Sequence, residues 1–200
     1  MLIASERRRA EVQAEREQFR AEMASTQTED LVFLDESGVT TSLTRLYGRA
    51  PRGVRVVDHV PQGHWKVLTI LGALTRDGML ATMTVEAATD SEVFAAYISQ
   101  VLVPRLGPGQ VVVMDNLQAH KAAGIRELIE AAGCRVRYLP PYSPDLNPIE
   151  PAWAQVKAEL RRVAARNEDA LQRALGPALD RVSAENARAY FRHCGYDRPD

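Results

Sequence analysis

Val111-Val112-Val113-Met114 is a run of four apolar residues closed by Asp115, with Gly107-Pro108-Gly109 ahead of it and Asn116 behind. A run so short and so wholly apolar reads as a strand buried on both faces, which demands a sheet covered by helices on both sides. Leu31-Val32-Phe33-Leu34, closed by Asp35, repeats the pattern. The chain is thereby directed towards an α/β architecture, in which ligands gather at the carboxyl ends of the strands.

The remaining pattern fills in that architecture. Trp65 to Leu74 and Met79 to Val85 are strand-like, and Thr75-Arg76-Asp77-Gly78 between them carries the Asp-Gly step of a hairpin. Thr89-Asp90-Ser91-Glu92 resembles a capping sequence, followed at helical spacing by Val93, Phe94, Tyr97, Ile98, Val101 and Leu102. A helix over about 121–132 closed by Gly133, and a strand from Arg135 to Leu139, come next. Pro140, Pro141, Pro144 and Pro148 make a stiff connector, after which Ile149, Trp153, Val156, Leu160 and Val163 repeat as one helical face. Two more helices are expected over 167–180 and 183–193. Residues 5–24, rich in Glu, Arg, Gln and Ala, suggest a solvent-facing helix or linker.

Composition narrows the function. A hydrophobic share of 46% over 200 residues suits one globular domain with appendages. No apolar run approaches the roughly 20 residues that cross a bilayer, and the N-terminus lacks a signal-peptide core. Cys134 and Cys194 alone make neither a disulfide framework nor a metal knuckle, so a reduced cytoplasm is the default. The formal net charge of -1 contrasts with the basic charge of most free-standing DNA binders. The distribution is uneven, however: from Ser37 to Val57 stand Arg45, Arg49, Arg52 and Arg55 with no acid among them. That segment reads equally as a nucleic-acid contact or as solvated surface.

Two strand-end carboxylates and a third on a helix can converge at one sheet edge and hold two divalent metals. Asp35, Asp115 and Glu150 are in those settings, and Mg²⁺ needs few protein oxygens besides substrate phosphate. This reads as a metal-dependent enzyme that cuts or joins nucleic acid. Each strand-end Asp has an alternative as turn former or helix cap. Asn147 to Glu150 has capping-box spacing with Pro148 at the first helical position; alternatively the helix starts at Pro151 and Glu150 is the cap. Both place Glu150 at a helix N-terminus, where the macrodipole should lower its pKa. Trp153 reads as core and Lys157 as facing phosphate. His120 is structural or a site-edge residue, Asp145 a turn former, and His59, His64 and His193 show no ligand spacing.

Asp35-Glu36-Ser37, Met114-Asp115-Asn116-Leu117-Gln118-Ala119-His120 and the proline-rich block from Leu139 to Glu150 resemble the three signature blocks of the IS630/Tc1/mariner superfamily of DDE transposases. The 34 residues between Asp115 and Glu150 are similar to that superfamily's spacing. The resemblance covers residues 29–165 and implies an RNase H-like fold, a mixed five-stranded sheet flanked by helices on both faces. It makes Asp35, Asp115 and Glu150 the catalytic and metal-binding triad, for Mg²⁺ or Mn²⁺ as two ions, with Asn116 and His120 as auxiliaries. Arg45, Arg49, Arg52 and Lys157 become candidate contacts to DNA, both transposon ends and target, and the expected assembly is a homodimer. The chain then divides into a charged helical arm or linker (1–28), the catalytic domain (29–165) and C-terminal helices (166–200). Bacterial cytoplasm, at the nucleoid, is the expected location. Only about 30 residues precede the first strand, so a separate helix-turn-helix polypeptide is an expected partner. The competing readings are another RNase H-like nuclease and a truncated, non-catalytic fragment that binds or inhibits intact transposase.

Overall fold

A computed structural model describes residues 4–60, 65–86, 89–116 and 124–196. Five strands, β1 (Leu31–Thr40), β2 (Val67–Thr75), β3 (Gly78–Val85), β4 (Val111–Met114) and β5 (Arg135–Tyr138), form one sheet in the order β3-β2-β1-β4-β5. The β1–β2 and β2–β3 pairs are antiparallel, whereas β4 pairs in parallel with β1 and β5. The sheet is therefore mixed, as expected.

Alternation along the two central strands explains why helices cover both faces. Leu31 and Phe33, with Val111 and Val113, join a core built with α1 (Ala10–Met23), α4 (Ile149–Val163), α5 (Glu168–Asp180) and α6 (Ala184–Cys194). Val32 and Leu34, with Val112 and Met114, join a second core with α2 (Ser91–Tyr97), its π-helical continuation Ile98–Leu102 and α3 (Ile125–Ala131). Neither face of the 31–34 or the 111–114 run reaches water, which is why these runs contain no polar residue. The Asp90 carboxylate caps α2 by accepting from the Glu92 and Val93 amides. No helix among the described residues is long and apolar enough to cross a membrane.

Two expectations are corrected. β1 does not end at Leu34 but runs to Thr40, because β2 pairs with it from Phe33 to Thr40. Helix α1 is not solvent-facing throughout: Val12, Arg16, Phe19 and Met23 are buried, and Phe19 and Met23 belong to the core beneath the sheet. Their spacing of four, three and four residues forms one continuous stripe. The arginine in the middle of that stripe hid it from a reading by hydrophobicity.

Candidate functional site

The parallel register ends at Leu34 opposite Met114, so Asp35 and Asp115 emerge next to each other from neighbouring strands. Asp35 thus lies inside β1, at the point where its parallel partner stops. It is buried; its Oδ1 accepts from the Glu36 amide at 2.8 Å, and its Oδ2 from Asn147 Nδ2 at 3.5 Å. Glu150 arrives from the third direction, in the first turn of α4.

That helix starts differently from either reading of the sequence. Pro148 is the residue flanking its start, Ile149 is the first helical residue, and the Glu150 amide donates to the Asn147 carbonyl at 3.1 Å. The Asn147 side chain turns instead towards Asp35. Its other amide atom, Oδ1, is buried without a hydrogen-bond partner.

The rest of α4 is held by a contact that depends on glycine. Gly72 lies directly opposite Asp35 in the antiparallel ladder, and a Cβ at Gly72 would stand 2.5 Å from the ring of Trp153, one turn after Glu150. The absent side chain lets Trp153 close onto the sheet, which sets the start of α4 beside Asp35. Gly72→Ala is expected to cost about 1–3 kcal/mol through overpacking. The start of α4, and Glu150 with it, should shift. Unchanged melting would show that Trp153 gives way freely.

A cleft of about 530 Å³ is lined by Asp35, Asp115, Asn116 and Glu150 together with residues 139–144 and Asn147. Glu150 is exposed at this cleft, yet its carboxyl titrates above the ordinary range. Desolvation by its surroundings raises it most; the Lys157 ammonium opposes this, and the Asp115 charge adds to it. The macrodipole expectation is therefore overturned in sign, because lost hydration and a like charge outweigh the helix terminus. Lys157 is close enough to act on Glu150. Among the described residues, no three His, Cys, Asp or Glu side chains are gathered into a preformed metal cluster. The three acids line one cleft, and the Asp115 charge acts on Glu150.

Arg45, Arg49 and Arg52 are exposed on the irregular segment between β1 and β2 and do not line the cleft. The segment leaves the sheet after Thr40, not after Ser37. His120 and His64 lie outside the described residues.

Asp145 does more than form the 3-10 turn Pro144–Leu146. Arg16 donates to its Oδ1 at 3.1 Å and its Oδ2 at 2.8 Å, Arg7 donates to Oδ2 at 2.9 Å, and Arg20 is 3.9 Å away. Arg16 also donates to Ser143 Oγ at 2.6 Å. Asn147, Gly72 and Arg16 are the residues that sequence reasoning missed. Only Arg16 left a signal, as the long stem completing the α1 stripe.

The model of the DDE superfamily endonuclease family matches residues 30–172. No curated protein matches in sequence. Among solved structures, the chain is similar to the Mos1 strand transfer complex, with TM-score 0.72, 14% identity, and coverage of 96% of this chain and 59% of the other. The mariner Mos1 paired end complex with Mg gives 0.72 and 13%, covering 97% and 61%. The catalytic domain of Mos1 mariner transposase gives 0.64 and 12%, covering 96% and 90%. At this identity the likeness establishes the fold, an RNase H-like sheet with its helices. The chain spans about three-fifths of the first two proteins.

Proposed function

The chain belongs to the DDE superfamily endonucleases, and from that membership we propose that it is the catalytic part of a transposase, cleaving DNA and transferring the strand in cut-and-paste transposition of an insertion sequence. The observation that carries this reading is that Asp35, Asp115 and Glu150, from three separate sequence blocks, line one cleft.

The donors of that cleft fit Mg²⁺ or Mn²⁺. Carboxylate oxygens are the hard ligands these ions prefer, and the unpartnered Oδ1 of Asn147 is a further oxygen beside Asp35. Asp35, Asp115 and Glu150 would hold the metal, in the proposal two ions. When bound, such a pair activates the attacking oxygen and stabilises the leaving one. The protein's own part is positional: the Glu36 amide and Asn147 orient Asp35, and Lys157 places positive charge near Glu150 to receive phosphate. Asn116, which lines the cleft, is an auxiliary in this reading, as is His120.

The finer parts of the proposal concern partners. Transposon ends and target DNA are the substrates, the assembly is a homodimer, and a helix-turn-helix polypeptide supplies end recognition. Mos1 structures that include transposon ends support the first of these. Arg45, Arg49 and Arg52, exposed without a neighbouring acid in sequence, suit phosphate contact and a salt-dependent affinity.

The test is cleavage of supercoiled plasmid and of linear duplex by the purified chain at fixed salt. Nicking is expected with Mg²⁺ or Mn²⁺ and should stop on chelation. Cleavage undiminished by chelator, or none in either metal, rejects the proposal.

A further inference from the structure

The geometry points to Tyr142 as a stacking platform for a nucleobase at the carboxylate cleft. Tyr142 has φ of +55°, in the left-handed region that a bulky side chain rarely adopts and that glycine would occupy freely. It keeps 47% of its surface exposed, although large apolar cores lie under both faces of the sheet. It also lines the same cleft as Asp35, Asp115 and Glu150. A large ring is thus held in an unfavourable backbone conformation, half out of the protein, beside the acids.

The surrounding turn is built to maintain that conformation. Pro141 and Pro144 restrict the backbone on either side. Ser143 Oγ donates to the Pro141 carbonyl at 2.9 Å, bridging across Tyr142, and itself accepts from Arg16 at 2.6 Å. Arg16 in turn is fixed by both oxygens of Asp145. Strain survives only where the structure around it over-determines it, and such sites are characteristically functional.

The chemistry of the ring indicates the ligand. Cations handle phosphate, the part proposed above for Lys157, but an exposed aromatic face suits a planar base. Every base presents a π-face, so stacking is sequence-tolerant and needs an unpaired or frayed nucleotide. A strand being cut and rejoined supplies one. This inference rests on the reading of the cleft as a DNA-cutting site.

The experiment uses a short duplex with a frayed end carrying 2-aminopurine, without added divalent metal so that no strand is cut. Affinity and fluorescence are read across a salt series. Tyr142→Ala is expected to weaken binding by roughly 5- to 150-fold and to abolish the quenching of 2-aminopurine. Tyr142→Phe and Tyr142→Trp should retain both. The slope of affinity against salt should stay at its original value, because stacking neutralises no phosphate. Tyr142→Gly guards against misfolding: it tolerates the positive φ, should melt within a few degrees of the original chain, and should lose quenching as fully as alanine. Quenching that persists in the glycine variant overturns the inference, as does a Phe variant that falls as far as Ala. If the unaltered chain cleaves with metal yet never quenches, the platform fails and the endonuclease reading stands; if it neither binds nor cleaves, both fall.

Discussion

Asp35→Asn, Asp115→Asn and Glu150→Gln are each expected to reduce metal-dependent DNA cleavage by roughly 10³-fold or more while the domain stays folded. Each change keeps the shape of the side chain and removes the charge that would hold a divalent ion. At Asp35 and Glu150 folding should survive for specific reasons. Asp35 accepts the Glu36 amide and the Asn147 side chain, and an amide at 35 keeps an oxygen for one of them. Glu150 carries a carboxyl whose ionised form is disfavoured by desolvation and by Asp115. Glu150→Gln removes that disfavoured charge, so this variant should melt at or above the temperature of the original chain, the usual relation between an active-site residue and stability. Mg²⁺ that binds the folded state raises the melting temperature by mass action, and this increment should shrink in all three variants. Full activity in any one of them removes that residue from the triad.

The architecture was readable because its strongest signals were local. Val111 to Met114 and Leu31 to Leu34 read as doubly buried strands, and Asp-Gly at 77–78 marked the hairpin between β2 and β3. Where the reading stopped short, the deciding partner was distant in sequence. Glu36, Ser37 and Gly38 look like the end of a strand until Leu71, Ile70 and Thr69 are set opposite them. Gly72 looks like a weak strand residue until Trp153 comes to rest over it. The acids were legible as a pattern, but their environment was not. A helix N-terminus predicts a lowered Glu150 pKa, and only the assembled cleft shows the desolvation and the Asp115 charge that reverse it. Composition misled most at α1, because a buried arginine counts as polar in any average over the sequence. Its partners, Ser143 and Asp145, lie 127 and 129 residues away.

Asp145→Ala is expected to be among the most destabilising substitutions outside the apolar core. Arg16 retains only 1% of its side-chain exposure, whereas Asp145 retains 25%. Removing the carboxylate leaves a buried guanidinium without its bidentate partner, a loss of about 3–5 kcal/mol. For a domain of this size, that corresponds to a melting temperature lower by roughly 6–20 °C. Arg16→Met should cost less, since the partly exposed Asp145 keeps Arg7 and water, while the methionine fills the same stripe between Val12 and Phe19. The double variant should lose less than the sum of the two, because no buried charge is then left unpaired. The dependence on pH has a definite sign. Burial alone would raise the Asp145 pKa, but the hydrogen bonds and charge of Arg16, with the charge of Arg7, outweigh it and hold the carboxyl below its ordinary range. A folded-state pKa that is lowered gives stability that is complete above the unfolded value and is lost as pH falls through the folded one. The gap in melting temperature between the original chain and Asp145→Ala should therefore be flat near neutrality and narrow only in acid below the usual carboxylate range. A gap that instead closes between neutrality and mildly acid pH would mean that another group carries the effect. A double variant as unstable as the sum of its parts would mean that Arg16 is held by something other than Asp145.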